Sequence, residues 1–250
     1  MLFNNSNNGF ENEDDFVLKL NNKKFKDVNF NLQLFLLDIF KNIQERSSIK
    51  CIKNELRQKY DIFIIIGNEV RRISIKKGIK NSVHTEPVSE FIHFLIENKI
   101  PRNIIINILK YHYADGSTNG TGRNRLSVSE YKIDHQEEID EINKYINTED
   151  LLKKFIDRFI ITGRNSTDSI DAILYGVPED FFWIKTKNIY DILLSKKEEY
   201  SSSIHFSRLT YQPLDRCLNY NPRYDSRRFI IQIKWYNLCD DIIETMNNNC

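Results

Sequence analysis

The sequence predicts a mixed α/β protein. Three stretches have strand composition, at residues 61–76, 204–211 and 228–236, and they interleave with stretches whose apolar residues recur at helical spacing. No segment repeats with a period of 20–50 residues, which excludes a helical array, and the interleaving excludes both a pure bundle and a pure sandwich. With 250 residues, 40% of them hydrophobic, the chain can bury a real core as one domain with a long elaboration or as two.

Residues 1–10 are Asn-rich and expected to fray. From Asp14 or Asp15, the residues Phe16, Leu20, Val28, Leu32, Phe35, Leu36, Ile39 and Phe40 follow a helical period broken near Asn21 and Asn22. That pattern gives two helices ending near Ile43. Residues 49–60 (IKCIKNELRQKY) read as a short helix or an irregular lead-in to a β-hairpin at 61–76. After a basic loop, Thr85-Glu86-Pro87 reads as a helix start, because a hydroxyl, an acid and an early proline suit the exposed N–H groups of a first turn. Val88, Phe91, Ile92, Leu95 and Ile96 form the apolar face of that helix, and Pro101 opens another, through Tyr113. Residues 114–130 are rich in Gly, Ser, Thr and Asn and read as an exposed loop, which without GK[ST] is no P-loop. Helices over 135–146 and 148–160 follow, the second with Thr148 as its cap. Residues 168–175 and 180–186 stay open between helix and strand, and 187–196 reads as a helix before the two late strands.

Composition excludes several function classes. Lys plus Arg number 36 against 35 for Asp plus Glu, so a basic coat that binds any nucleic acid is absent. A local basic channel for DNA stays open. No run of about 18 uncharged apolar residues exists, so no membrane span is expected. The first residues lack a basic start followed by an apolar stretch, and the expectation is therefore a cytoplasmic protein without a secretory signal. Cys51, Cys217, Cys239 and Cys250 stand far apart, with no CxxC spacing for zinc or redox chemistry, and read as reduced thiols. The five histidines show neither HxH nor HExxH spacing, and no GxSxG, Rossmann or kinase signature is present.

The chemistry-bearing stretch is the hairpin at 61–76. Gly67-Asn68 is a natural two-residue turn. If those two form the loop, Ile66 pairs with Glu69, and counting outward sets Asp61 opposite Ser74. Side chains alternate along a strand. Ile62, Ile64, Ile66, Ile73 and Ile75 then share one face, which must be buried. Asp61, Phe63, Ile65, Arg72, Ser74 and Lys76 share the other. The apolar pattern thus sets a register that brings Asp61, Ser74 and Lys76 together, provided no bulge intervenes.

An acid at the start of one strand and a polar-x-Lys on the next resembles the PD-(D/E)xK core of the restriction-endonuclease-like superfamily. The string ISIKKGIKNSVHTE, and near the end LTYQPLDRCLN and RRFIIQIKWYNL, look like segments of restriction-enzyme-like bacterial proteins. The resemblance implies a mixed central sheet flanked by helices, with helical elaboration, and Mg²⁺-dependent cleavage of double-stranded DNA. Asp61 takes the first acid position and Lys76 the lysine position. Carboxylates are hard oxygen ligands for Mg²⁺, and a lysine cation offsets charge building on the scissile phosphate. Ser74 stands where the pattern has a second carboxylate. Serine is a poor Mg²⁺ ligand, so either another acid substitutes or the site is inactive. Glu86 is the candidate substitute, with Glu55 as a possible further ligand. Under this resemblance residues 1–48 are an N-terminal helical segment, 49–115 the nuclease core, and 116–250 the loop, helices and strands that complete the core and contact DNA. All three also fit one domain.

Candidate DNA contacts follow the hairpin. Lys77, Lys80 and Asn81 lie in a stretch with no acid between Arg71 and Asn81, which reads as a phosphate-facing loop or as a solvated charge run, and His84 follows it as a further phosphate contact or a structural residue. Arg216, Arg223, Arg227 and Arg228, interleaved with Tyr220 and Tyr224, form a second basic group that reads as a DNA contact or as ordinary surface. Gln232-Ile-Lys234 is a second-choice catalytic half-motif, whose partner acid would be Asp215 or Asp225. It also fits as a strand of the hairpin's own sheet, lining the same cleft. The expected function is a type II restriction endonuclease acting as a homodimer, with a cognate DNA methyltransferase encoded nearby. The competing expectation is an inactive DNA-binding or protein-interaction module of the same fold.

Overall fold

The structure is a computed structural model. It describes residues 8–247 except 57, 79–80, 123–124, 165, 198–202, 215 and 217–221, and leaves the side chains of 8–10 and 222–224 outside the description. Two compact units share the chain: Met1–Asn81, Ile156–Ile192 and Asn237–Cys250 form the first, and Ser82–Phe155 and Leu193–Tyr236 the second.

The first unit is built on a six-stranded mixed sheet. Its strands are β1 (Lys23–Lys24), β2 (Ser48–Lys53), β3 (Ile62–Ile66) and β4 (Glu69–Lys76), joined by β6 (Ala172–Val177) and β7 (Asp180–Lys185). The spatial order is β1-β2-β3-β4-β6-β7, and only β4 and β6 run parallel. Residues 48–53 are a strand, not the helix or lead-in expected, because Ile49 and Cys51 alternate inward and pair with Ile66 and Ile64. Two helices cover the sheet: α1 (Asn8–Leu20), which starts earlier than Asp14, and α2 (Phe30–Ile39), capped by the Asn29 side chain on the Leu32 N–H. Phe16, Leu20, Phe35 and Leu36 meet Ile62, Ile64, Ile73 and Phe181 in a core that excludes water. Phe35 sits edge-on to both Phe181 and Trp183. Helix α7 (Thr186–Ser195) follows β7, and α8 (Leu238–Asn247) packs on that strand. Cys51 is buried in this core, which pushes its thiol up to about 12 and leaves it inert; Cys239 is half-buried and also reduced.

The hairpin register is the one counted from the sequence. Ile66 faces Glu69 and Ile62 faces Ile73, and all five isoleucines of the inner face are buried. Gly67 takes φ +59° at the first loop position, as a type II′ turn requires, while Asn68 keeps a negative φ.

The second unit holds a four-stranded antiparallel sheet in the order β5-β10-β9-β8, with β5 (Ser82–Pro87), β8 (His205–Phe206), β9 (Leu209–Pro213) and β10 (Ile230–Trp235). Thr85, Glu86 and Pro87 end β5 rather than opening a helix. Their backbones pair with β10, and α3 (Val88–Glu97) starts one residue later. Then come α4 (Arg102–Tyr113), as Pro101 suggested, α5 (Val128–Ile146) and α6 (Glu149–Ile156), which runs into a π-turn at Asp157–Ile161. Helix α5 begins well before residue 135. Ser127 and Glu130 form a capping box there, and the helix bends at His135, whose backbone leaves helical angles. Thr148 does not cap α6, since its hydroxyl donates back to the Tyr145 carbonyl. Phe91 centres this core, against Phe155, Phe206 and Tyr211.

Candidate active site

Asp61 sits one residue before β3, where its backbone N–H donates to the Ile73 carbonyl at 2.8 Å and extends the hairpin ladder by one rung. That rung turns its carboxylate toward β4. Oδ2 accepts the Ile75 N–H at 2.5 Å and the Ser74 hydroxyl at 3.1 Å, and lies 3.5 Å from the Lys76 ammonium. Ser74 is buried, while the Asp61 and Lys76 side chains keep 24% and 22% exposure. An acid and a cation held side by side, both reachable from solvent, result from strand alternation plus one short turn. Lys76 also donates to the Ile75 carbonyl at 3.0 Å, which tethers its stem along the strand end.

A carboxylate absent from the sequence-derived set joins this group. Glu13, on α1, lies 3.3 Å from the Lys53 ammonium with its side chain 16% exposed. Burial raises the Glu13 pKa, the negative charge of Asp61 raises it further, and Lys53 and Lys76 pull it back. Glu13 is therefore within electrostatic reach of both members of the pair. Its only trace in the sequence is membership of an acidic helix turn, which reads as a solvated face. Among the described residues no group of three or more His, Cys, Asp or Glu is clustered to hold a metal ion.

The other candidates are placed as follows. Glu55 is exposed beyond β2. Lys77 is half-buried after β4, and Lys80 lies outside the described residues. Asn81 is buried and hydrogen-bonds the Tyr175 hydroxyl, which donates to the Gly78 carbonyl at 2.8 Å and closes the loop after Lys76. Glu86 belongs to the second unit, buried on β5, with its Oε1 3.2 Å from Nε2 of the equally buried His84. Arg227 is exposed at the end of the 3-10 helix Pro222–Phe229, and the Arg223 side chain lies outside the description. Arg228 donates to the Gly120 and Gly122 carbonyls at 2.8 and 3.3 Å.

Gln232 and Lys234 share one face of β10, opposite Thr85 and Gln212, and Ser82 and Thr210. No acid stands across from them. Their strand belongs to the four-stranded sheet, so they are not in one sheet with the hairpin. Asp225 is exposed in the 3-10 helix, and Asp215 lies outside the described residues.

No family model and no curated protein matches the sequence. Among solved structures the chain is similar to the restriction endonuclease MspI, crystallised in complex with its cognate DNA. The TM-score is 0.59, the identity is 13%, and 93% of each chain is covered. So wide a superposition at so low an identity is a likeness of backbone path. With its mixed sheet, flanking helices and acid-bearing hairpin, the chain has a restriction-endonuclease-like fold.

Proposed function

We propose that this protein is a Mg²⁺-dependent endonuclease that cleaves double-stranded DNA at a specific sequence, a type II restriction endonuclease. The observation that carries the reading is the Asp61–Ser74–Lys76 arrangement, with the ammonium 3.5 Å from the acid on a hairpin of this fold. The likeness to an endonuclease crystallised on its cognate DNA supports it.

The donor set fits Mg²⁺. That ion is held by one or two carboxylates together with substrate phosphate oxygens rather than by an all-protein cage. Asp61 presents a partly exposed carboxylate, and Glu13, whose charge is disfavoured by burial and by Asp61, is the second oxygen donor within reach. Bound there, the ion would stabilise negative charge on the scissile phosphate. The chain's own residues do the rest. Ile75 N–H and Ser74 Oγ–H hold one Asp61 oxygen fixed. Lys76 orients the attacking water and offsets charge that grows as water adds to phosphorus. Ser74 is then a positioning residue rather than a ligand. Glu86 is the rival second carboxylate, engaged with His84. The enzyme works in the cytoplasm as a homodimer, with a cognate methyltransferase protecting host DNA.

The serine at the second acid position favours one other reading, a non-catalytic DNA-binding or protein-interaction module. The test is cleavage of phage and plasmid DNA by the purified protein, with Mg²⁺ and with EDTA, alongside Asp61→Ala, Lys76→Ala, Glu13→Gln and Glu86→Gln. Discrete Mg²⁺-dependent fragments, lost in Asp61→Ala and Lys76→Ala, establish the nuclease. The glutamate whose loss raises the Mg²⁺ requirement is the second donor. DNA binding without cutting on several unmethylated substrates would leave the inactive module.

A further inference from the structure

The connection between α4 and α5 is polar in sequence yet anchored like a core element. Ala114 leaves α4 in the left-handed region, φ 47°. The fully buried Asp115 carboxylate takes the Ser117 N–H and hydroxyl on Oδ1, at 2.9 and 2.7 Å, and the Gly122 N–H on Oδ2 at 3.1 Å. Ser117 Oγ in turn accepts the Gly120 and Thr121 N–H groups at 2.9 and 3.2 Å. Three guanidiniums hold the carbonyl side. Arg125 donates to Tyr113 and His112 at 2.9 and 2.6 Å. Arg216 donates to Leu126, Tyr111 and Ser127 at 2.7, 3.0 and 3.2 Å, and Arg228 to Gly120 and Gly122. A Cβ at Gly122 would collide with the Asp115 carbonyl oxygen, so the backbone is packed to contact.

This frame holds a small neutral tip out to solvent: Gly116, Thr118, Asn119 and Thr121 are exposed. The Asn119 amide has a determined orientation. Its Oδ1 accepts the Thr121 N–H at 3.2 Å and the Thr121 hydroxyl at 2.7 Å. An N–H group can meet only the amide oxygen, so the two N–H donors of Asn119 face away from the loop, unpartnered among the described residues. Nothing apolar at the tip needs covering. Among the described residues, the arginines beside the tip, Arg125, Arg216 and Arg228, are turned inward onto backbone carbonyls. A rigid backbone presenting neutral hydrogen-bond donors is suited to reading shape and hydrogen-bond pattern.

We infer that the loop tip at residues 114–122 is a recognition element for DNA base edges, with Asn119 donating an N–H to a base acceptor in a groove. The inference rests on the DNA-cleavage reading and deepens it by naming a specificity-determining residue. Arg125, Arg216 and Arg228 are positioning residues for that loop. In the sequence Arg228 reads as a DNA contact; in the structure its guanidinium donates to the Gly120 and Gly122 carbonyls of this loop.

The experiment compares wild type with Asn119→Ala. Sequencing the ends cut from a randomised plasmid library in Mg²⁺ gives the preferred site of each. Anisotropy without Mg²⁺ then gives the affinity for that duplex and for single-base variants of it. The substitution is on the surface, so thermal unfolding of the two proteins should coincide. Expected is a relaxed preference at one or two positions and roughly tenfold weaker binding to the preferred duplex. Binding to the other duplexes should stay unchanged. An unaltered preference and affinity ratio, in a wild type that does cut at a defined sequence, overturns the loop's role alone. A uniform loss on all duplexes makes Asn119 a phosphate contact and overturns it equally. A wild type that neither binds nor cuts DNA removes the nuclease reading and this inference with it.

Discussion

One oxygen, Asp61 Oδ2, collects a backbone N–H, a hydroxyl and an ammonium within 3.5 Å. The three are not equivalent. The N–H comes from a strand that is present whatever the side chain, the hydroxyl can be lost at small cost, and only the ammonium carries a charge. Lys76→Ala is therefore expected to lower the cleavage rate by roughly a hundredfold or more, a typical cost for a charged or proton-handling group at a reacting centre. Ser74→Ala should stay within about tenfold, since one neutral hydrogen bond contributes only ~0.5–1.5 kcal/mol. Both rates are read from linearisation of supercoiled plasmid, with circular dichroism to check the fold. Equal losses in the two variants would show that Ser74 does more than hold Asp61. Glu13 illustrates what single residues hide. Nothing in NEDDF separates it from Asp14 or Asp15, and only the docking of α1 brings it within reach of Asp61 and Lys76.

At the scale of elements, the hairpin is where function meets stability. Gly67 has open space around it, so an added Cβ would meet no atom and its cost is backbone strain alone. Gly67→Ala should destabilise by about 1 kcal/mol, and activity should fall only as far as the folded fraction does. Ile64→Ala, by contrast, opens a hole between the sheet and its helices and should cost ~2–5 kcal/mol. Urea unfolding checks both, and a loss under 1 kcal/mol for Ile64→Ala would show that α1 and α2 repack. The hairpin was legible because isoleucine alternation and a Gly-Asn turn specify its register locally. Strand β2 was not, since its inward residues, Ile49 and Cys51, make sense only beside β3. Strand β5 is hidden for a related reason. A hydroxyl, an acid and a proline suit a helix start, and here they precede one while still pairing with the distant β10. Residues 114–130 read as an exposed loop because their composition is polar; the tip is exposed, and what composition does not show is that arginines from far along the chain bind the Leu126 and Gly120 carbonyls.

At the scale of the whole molecule, pH acts through a buried imidazole. His112 Nδ1 accepts the Tyr211 hydroxyl at 2.7 Å, and Nε2 donates to the Arg228 carbonyl at 2.7 Å, which defines the neutral tautomer. Burial pushes its pKa down to about 3. The unfolded chain then takes up a proton below its ordinary value of about 6.5, while the folded protein does not until near 3. Stability from this group is complete above about 6.5 and is lost as pH falls below it, reaching about 2 kcal/mol by pH 5. Urea midpoints at pH 7.5 and 5 should differ accordingly, and the difference should shrink in His112→Gln; an unchanged difference in that variant would assign the pH dependence to other groups. The overall class was legible from interleaved periods. The division into two units was not, because each unit is stitched from segments far apart in sequence.

That stitching governs when strand β4 is finished. Strand β4 carries Ser74 and Lys76 between two neighbours: β3, made just before it, and β6, which follows only after the whole 82–155 stretch. Asp171, immediately ahead of β6, donates its backbone N–H to the Arg72 carbonyl at 2.7 Å and takes the Arg72 N–H on its carboxylate at 2.7 Å. A nascent chain emerging from the ribosome therefore holds β4 with one naked edge, and contacts of such high order close late. Until residues 172–177 are made, no growing chain presents the sheet complete on both sides of the strand that carries Ser74 and Lys76.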